Sequence, residues 1–209
     1  MIGFKPMFVL TYARVIDPIL RDIRVYTPEF AGMNAGGRVL DVCCATGDQA
    51  FHYAGRGISA VGIDLDPRMI EVAEKSRRKR GLTNVSFQVA DAERLPFQDN
   101  FFDCASVSLA LHEKERPARD RVLSEMKRVV RKEGTLVFID FAVPFPRNTY
   151  AVLIRVVEFI AGWSNFRCFR DYIEQGGLDE LLNKHKLHEE KRDYLKYGSI
   201  TIVKARNTQ

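Results

Sequence analysis

The sequence predicts an α/β fold: a doubly wound sheet of seven mostly parallel strands, helices on both faces, and an antiparallel hairpin strand at the C-terminal end. Three observations carry this. Short β-branched runs alternate with helical patterns from residue 38 to residue 141, the spacing of βαβ units. Glycine and proline fall at the joints between them. The chain then closes on two alternating runs joined at Tyr197-Gly198, the pattern of a hairpin.

In chain order, residues 38–42 read as a buried strand and 47–54 as the helix after it. Residues 59–64 form a second strand and 67–80 a second helix. Pro67 suits the first helical position, and Gly81 stands where a helix end takes φ > 0. A third strand covers 85–90 and a fourth 102–109. A helix over 117–131 leads to a fifth strand at 135–141. Right-handed crossovers then follow. Residues 147–162 form an apolar helix, and 169–185 a second, interrupted near Gly176-Gly177. The strands 187–195 and 199–205 complete the sheet. Residues 1–35 have helical periodicity and are read as a cap over the carboxyl end of the sheet. One domain spans 1–209, with a ligand-binding core at 36–141, a helical insertion at 147–185 and a closing hairpin at 187–206.

Composition narrows the class. The chain is 46% hydrophobic and 28% charged, with net charge +5, as a globular domain should be. The cationic run Lys75-Ser76-Arg77-Arg78-Lys79-Arg80 is read first as a helix C-terminus complementing the macrodipole and second as a patch for RNA or an anionic membrane. Cys43, Cys44, Cys104 and Cys168 lack metal-ligand spacing, so no metal is expected. They read as reduced thiols of a cytoplasmic protein. The apolar run from Tyr150 to Gly162 carries Arg155 and Glu158 and is too short to span a bilayer.

The first strand runs into V-L-D-V-C-C-A-T-G-D-Q-A. In open α/β sheets, ligands bind beyond such a strand, where strand order reverses. A dinucleotide fingerprint would need glycines at Cys43, Ala45 and Asp48, and an aspartate at the helix N-terminus repels a pyrophosphate. No G-K-[ST] follows, so a Walker loop is excluded. Asp64 ends strand two, placed to accept from ribose hydroxyls. Asp91 follows strand three, placed for an adenine amine. Asp41 and Asp48 flank the loop and favour a cation. Adenosine plus positive charge describes S-adenosylmethionine.

Four segments strengthen this: V-L-D-V-C-C-A-T-G-D, V-G-I-D-L-D-P-R-M-I, A-D-A-E-R-L-P-F-Q-D-N-F-F-D and E-M-K-R-V-V-R-K-E-G-T-L-V-F-I-D. In this order, over roughly 38–141, they resemble the class I S-adenosylmethionine-dependent methyltransferases, with their Rossmann-like fold. They are closest to the type 11 group that includes the ubiquinone/menaquinone-biosynthesis methyltransferases. The tail F-R-D-Y-I-E-Q-G-G-L-D-E-L-L resembles the same broad group more weakly. The resemblance implies that Asp41 and the backbone from Cys43 through Cys44 and Ala45 to Gly47 hold the methionine part. Asp64 takes the ribose, with Leu65 beside the adenine. Asp91 and the amide of Ala92 read the adenine. The backbone near Ser108 floors the sulfonium, and Tyr12 closes over the cofactor. S-adenosylhomocysteine is the product. Ala45 departs from the family's usual glycine.

Methyl transfer is an in-line displacement that depends mainly on alignment. His112, in S-L-A-L-H-E-K after strand four, is the candidate general base. Its alternative is a polar residue that orients the loop. Glu113 reads as an exposed loop acid, His52 as structural, and His185 and His188 as solvent-facing. Val152, Val156, Phe159 and Ile160 form an apolar stripe, read first as core or dimer contact and second as the lining of a pocket for a large apolar acceptor, such as a quinone precursor or lipid. Arg167 and Arg170 would then meet an acidic group, or else are surface cations. A small-molecule acceptor is favoured over nucleic acid, because strand four lacks an N/D-P-P-aromatic ending. Peripheral membrane contact and a homodimer stay open. A non-catalytic cofactor-binding or partner-binding relative is the alternative from another class.

Overall fold

The computed structural model describes residues 16–208. One sheet contains β1 (Arg38–Val42), β2 (Ser59–Asp64), β3 (Val85–Val89), β4 (Phe102–Ser108), β5 (Val130–Phe141), β6 (His188–Leu195) and β7 (Ile200–Arg206). Their order across it is β3-β2-β1-β4-β5-β7-β6. The first five strands are parallel, and β7 runs antiparallel to both β5 and β6. Helices α1 (Asp17–Ala31), α2 (Asp48–Ala54), α3 (Pro67–Arg80), α4 (Arg116–Val129), α5 (Thr149–Ala161), α6 (Trp163–Glu174) and α7 (Gly177–Lys184) surround it. The expected fold class and the closing hairpin are present.

The central strands bury both faces. Val39, Leu40 and Val42 in β1, Cys104, Ala105 and Val107 in β4, and Leu136 to Ile139 in β5 are all buried. That is why apolar residues occupy successive positions in these strands and do not alternate with polar ones. The edge strand β6 is mostly exposed, and its charges along His188–Leu195 protect a free edge. Helix α3 is bounded as its sequence indicates. Asp66 caps it by accepting from the Arg68 amide, Pro67 opens it, and Gly81 closes it at φ 65°.

Four expectations change. Helix α4 stops at Val129 and β5 begins at once, because the distant Asn207 side chain donates to the carbonyls of Lys127 and Val130. Val130 meanwhile pairs with Phe102 across an irregular register. The helical stretch after α5 begins earlier, at Trp163, and divides into α6 and α7 where Gly176 takes φ 98°. The described part of the N-terminal cap, α1, starts beside the loop after β1, with Thr46 Oγ1 donating to Asp17. It then runs along α2, where Gln49 donates to the Arg24 carbonyl, and reaches β6, where Tyr26 donates to Asp193. It therefore packs along the structure and does not simply lid the strand ends.

The fourth change concerns α5. Val152, Val156, Phe159 and Ile160 are not core: they are exposed by 57%, 48%, 57% and 77%. The residues facing inward are Ala151, Ile154 and Glu158.

Candidate active site

Strand order reverses at β1, whose neighbours are β2 and β4. The loop at its carboxyl end therefore borders the crevice expected of this topology. The loop takes left-handed backbone at alternate residues: Cys43 at φ 56°, Ala45 at 46° and Gly47 at 77°. A side chain at Gly47 would meet the Phe87 ring at 2.4 Å, so both conformation and packing require glycine there. Ala45 does adopt the conformation for which its family counterpart is glycine, and Cys43 shares that strain. The loop is held by hydrogen bonds from Cys44 N to Ile63 O at 2.8 Å and from Gly47 N to Cys44 O at 2.8 Å.

Asp64 ties this loop to the end of β2. Its two oxygens accept from Ala45 N and Asp66 N, each at 2.9 Å. Burial and the neighbouring Asp66 raise its carboxyl against these bonds. Each oxygen retains a second acceptor site for a ligand hydroxyl. Next to it, Leu65 is 68% exposed, an open apolar surface beside the carboxylate. Asp91 lies two residues past β3 and accepts from Glu93 N at 2.9 Å, while Ala92 is buried. Ser108 ends β4 half-buried, and Leu109 after it turns left-handed at φ 51°.

Asp41 is buried beneath the loop. Ser106 Oγ donates to one oxygen at 3.2 Å, and the other has no partner among the described residues. Burial pushes its carboxyl up to about 7, although Arg24 pulls the other way. An orphaned carboxylate oxygen under the loop suits the cationic end of the donor. Asp48 does not serve it as expected: its carboxylate is taken by Arg24 at 3.3 Å, His52 at 3.7 Å and Arg80 at 3.7 Å.

On the far side of β4, His112 is buried in a polar network. Its Nδ1 lies 2.6 Å from Asp140 Oδ1, and its Nε2 lies 3.6 Å from Glu158 Oε1 on α5. Asp140 also accepts from the amides of Leu111, His112 and Phe141, so backbone fixes the carboxylate that fixes the ring. Burial opposes a charge on the imidazole, but Asp140 and Glu158 outweigh it and hold its pKa well above the ordinary value. The ring of Phe141 is 4.4 Å away, with Phe169 and Tyr172 presenting edges to it. An imidazolium has no lone pair to accept a proton. Asp140 fixes the orientation of the ring through Nδ1, which fits the alternative of an orienting residue.

The family described as "Methyltransferase domain" matches residues 39–134. The ubiquinone/menaquinone biosynthesis C-methyltransferase UbiE of Citrifermentans bemidjiense is 40% identical over 150 residues, covering 66% of this chain and 62% of that protein. The chain thus spans less than two thirds of the length of that relative. Among solved structures, the PH0226 protein from Pyrococcus horikoshii superposes with a TM-score of 0.71 at 20% identity, covering 98% of this chain and 99% of that one. A SAM dependent methyltransferase from Aquifex aeolicus superposes with a TM-score of 0.70 at 19% identity, covering 99% and 100%. These two show the shared fold. Residues 39–134 thus match a methyltransferase family, and the fold is one found in S-adenosylmethionine-dependent methyltransferases.

The loop, Asp41, Asp64, Leu65, Asp91, Ala92 and Ser108 all lie at or just past the carboxyl ends of β1 to β4. Tyr12 lies outside the described residues. The sequence reading missed three groups. Lys114 is a cation whose charge is favoured by Cys43, and also by Glu113, Glu93 and Asp64, against desolvation. Asp140 sits near the end of β5 as Asp64 ends β2, and that strand-end pattern could have exposed it. Glu158 stood out as an acid in an apolar helix, but its inward direction was not legible. Glu113 is exposed as expected, and its oxygen reaches to 4.0 Å from His112 Nε2. Surrounding protein, together with Glu158 and Asp140, raises its carboxyl although His112 opposes this. His52 pairs with Asp48, and His188 is exposed. His185, expected to face solvent, is half-buried against Asp120 at 3.2 Å. Arg167 and Arg170 are surface cations, paired with Glu115 and Glu174. All four cysteines are free thiols, and burial pushes Cys43 up to about 11, a weakly reactive state.

Proposed function

We propose that the chain transfers the methyl group of S-adenosylmethionine to a small, flat, apolar acceptor of the hydroxylated aromatic or quinone-precursor type. The observation that carries this is the aromatic cluster beside His112. Phe141, Phe145 and Phe169 make mutual edge-to-face contacts with centroids 5.4 to 6.0 Å apart; Phe141 and Phe169 are buried and Phe145 half-buried, an aromatic wall of the kind that favours aromatic rings. The name of the UbiE relative, a C-methyltransferase, favours transfer to carbon. In the in-line displacement the acceptor carbon attacks the methyl group and the sulfur leaves as a thioether, with alignment supplying much of the rate. Asp41, Asp64 and Asp91 would fix the donor. His112, held between Asp140 and Glu158, is a positioning residue that places positive charge beside the oxygen of an acceptor ionised to its phenolate by loss of a proton to water; after methyl transfer the hydrogen at the methylated carbon leaves to water as a proton.

The cationic run is only partly free for RNA: Lys75, Arg78 and Lys79 are exposed, but two arginines are engaged. Arg77 bonds to Glu74 and the Leu82 carbonyl, and Arg80 turns to Asp48 and stacks 4.3 Å from Phe51. A non-catalytic reading is favoured by one observation only, the left-handed Cys43 and Ala45. Mass spectrometry with a methyl-labelled donor and hydroxynaphthalene acceptors tests the proposal. A labelled ring-methyl product supports it. Tight donor binding by calorimetry with no product from any aromatic acceptor would overturn it in favour of the non-catalytic reading.

A further inference from the structure

Helix α5 is amphipathic in the reverse sense. Its inward residues include the charged Glu158, while Leu153 and Val157 join the exposed stripe at 56% and 46% exposure. Trp163, 68% exposed, continues this surface at one end. At the other end Tyr197, 86% exposed at the hairpin tip, lies 6.3 Å from Tyr150. The surface thus runs along 13 residues, roughly 20 Å of helix, between two exposed aromatic residues. Surface helices of globular proteins turn such a stripe inward. A contiguous apolar patch left outside marks a binding surface.

Charge identifies what binds. The one acid of α5, Glu158, is withdrawn against His112, so the outward surface of the helix carries only Arg155. Arg147 precedes the helix. Both arginines are exposed, and no carboxylate pairs with either among the described residues. Arg155 rests 5.1 Å over the Phe145 ring. In a two-fold contact between copies, this face would bring like charges together. An anionic bilayer complements both the cations and the apolar stripe, and tryptophan and tyrosine favour its interface. Among the described residues no helix is long and apolar enough to cross a membrane, and α5, at 13 residues, is of a length to lie on a bilayer and not to span it.

We propose that α5 docks flat on an anionic lipid bilayer, with its apolar face in the acyl boundary and Arg147 and Arg155 at the headgroups. This does not depend on the identity of the acceptor. The chain has one tryptophan, so its fluorescence reports on this face alone. With vesicles of equal parts phosphatidylcholine and phosphatidylglycerol, the protein should co-sediment and its emission should shift to the blue. Ile160→Glu should weaken partitioning by about tenfold or more. Arg155→Gln should weaken it about fivefold on these vesicles and little on phosphatidylcholine alone. Both side chains point outward, and unchanged thermal unfolding would confirm that each variant is folded. The proposal fails if the wild-type protein stays in the supernatant with unshifted emission. It fails equally if the blue shift appears without vesicles as protein concentration rises, with a doubled mass in sedimentation velocity, because the partner is then a second copy.

Discussion

The loop after β1 and the helix after β5 both stand beyond carboxyl ends of the same sheet, yet they are held by opposite means. In the loop from Cys43 to Gly47, backbone carries the structure: amides bond to Ile63 O and Asp64, Gly47 fits only without a side chain, and strain is accepted at Cys43 and Ala45. In α5, backbone is ordinary helix and side chains decide everything. A buried charge faces inward, apolar groups face outward, and the polar link Glu158–His112–Asp140 runs beneath. The difference teaches where each kind of substitution will act. The loop is sensitive to volume and φ, and the helix side to charge.

The largest expected effect breaks the charged side. Asp140→Asn leaves a buried imidazolium without its counter-charge and should cost about 3–5 kcal/mol of unfolding free energy, read by denaturant titration. The His112 pKa, followed by NMR, should fall in the same variant while donor affinity changes little. The sign follows from linkage. A histidine whose folded pKa is raised contributes stability that is fully present below its unfolded value of about 6.5 and is lost as pH rises through the folded value. Loss of donor binding in the Asp140 variant would show that the two regions are one unit.

Next comes the loop. Gly47→Ala forces a side chain against Phe87 in a left-handed residue and should cost about 2–4 kcal/mol, with donor binding by calorimetry lost as well. A variant that binds normally would mean that the loop yields where the fold says it cannot.

A smaller effect concerns pH. The Asp41 carboxyl, at about 7 without ligand, must ionise to favour a cationic donor. Donor affinity should therefore rise with pH, by up to about tenfold per unit, until it levels off above 7. Asp41→Asn should flatten that profile. The unliganded fold behaves in the opposite way. A carboxyl raised in the folded state makes stability fall as pH rises from about 4 towards 7. The smallest change expected is from Ala45→Gly, which relieves a left-handed alanine and should raise stability by about 1 kcal/mol at most.

Much of the parallel half was legible because its signals are local. β-branched runs, Pro67 and Gly81 state their own structure, and Asp41, Asp64 and Asp91 announce themselves by standing at or just past the carboxyl ends of strands. Asp48 was misread for a tertiary reason: Arg24, on a helix far back in the sequence, neutralises it. The end of α4 was misplaced because Asn207, from the opposite end of the chain, caps it. Lys114 and Glu158 escaped because nothing in a helix or loop pattern says which charged residue will turn inward.

The sequence by itself determined the sheet, the order of its strands along the chain and the placing of Asp41, Asp64 and Asp91 at or near strand ends. Hydrophobic period and turn residues act over a few neighbouring positions, and an acid at a strand end is placed by that strand alone. Only the tertiary structure decided which charges pair, that α5 hides its acid and shows its apolar side, and that His112 sits between Asp140 and Glu158. Each of these depends on groups brought together from distant parts of the chain, where burial and Coulomb attraction between them outweigh any local preference.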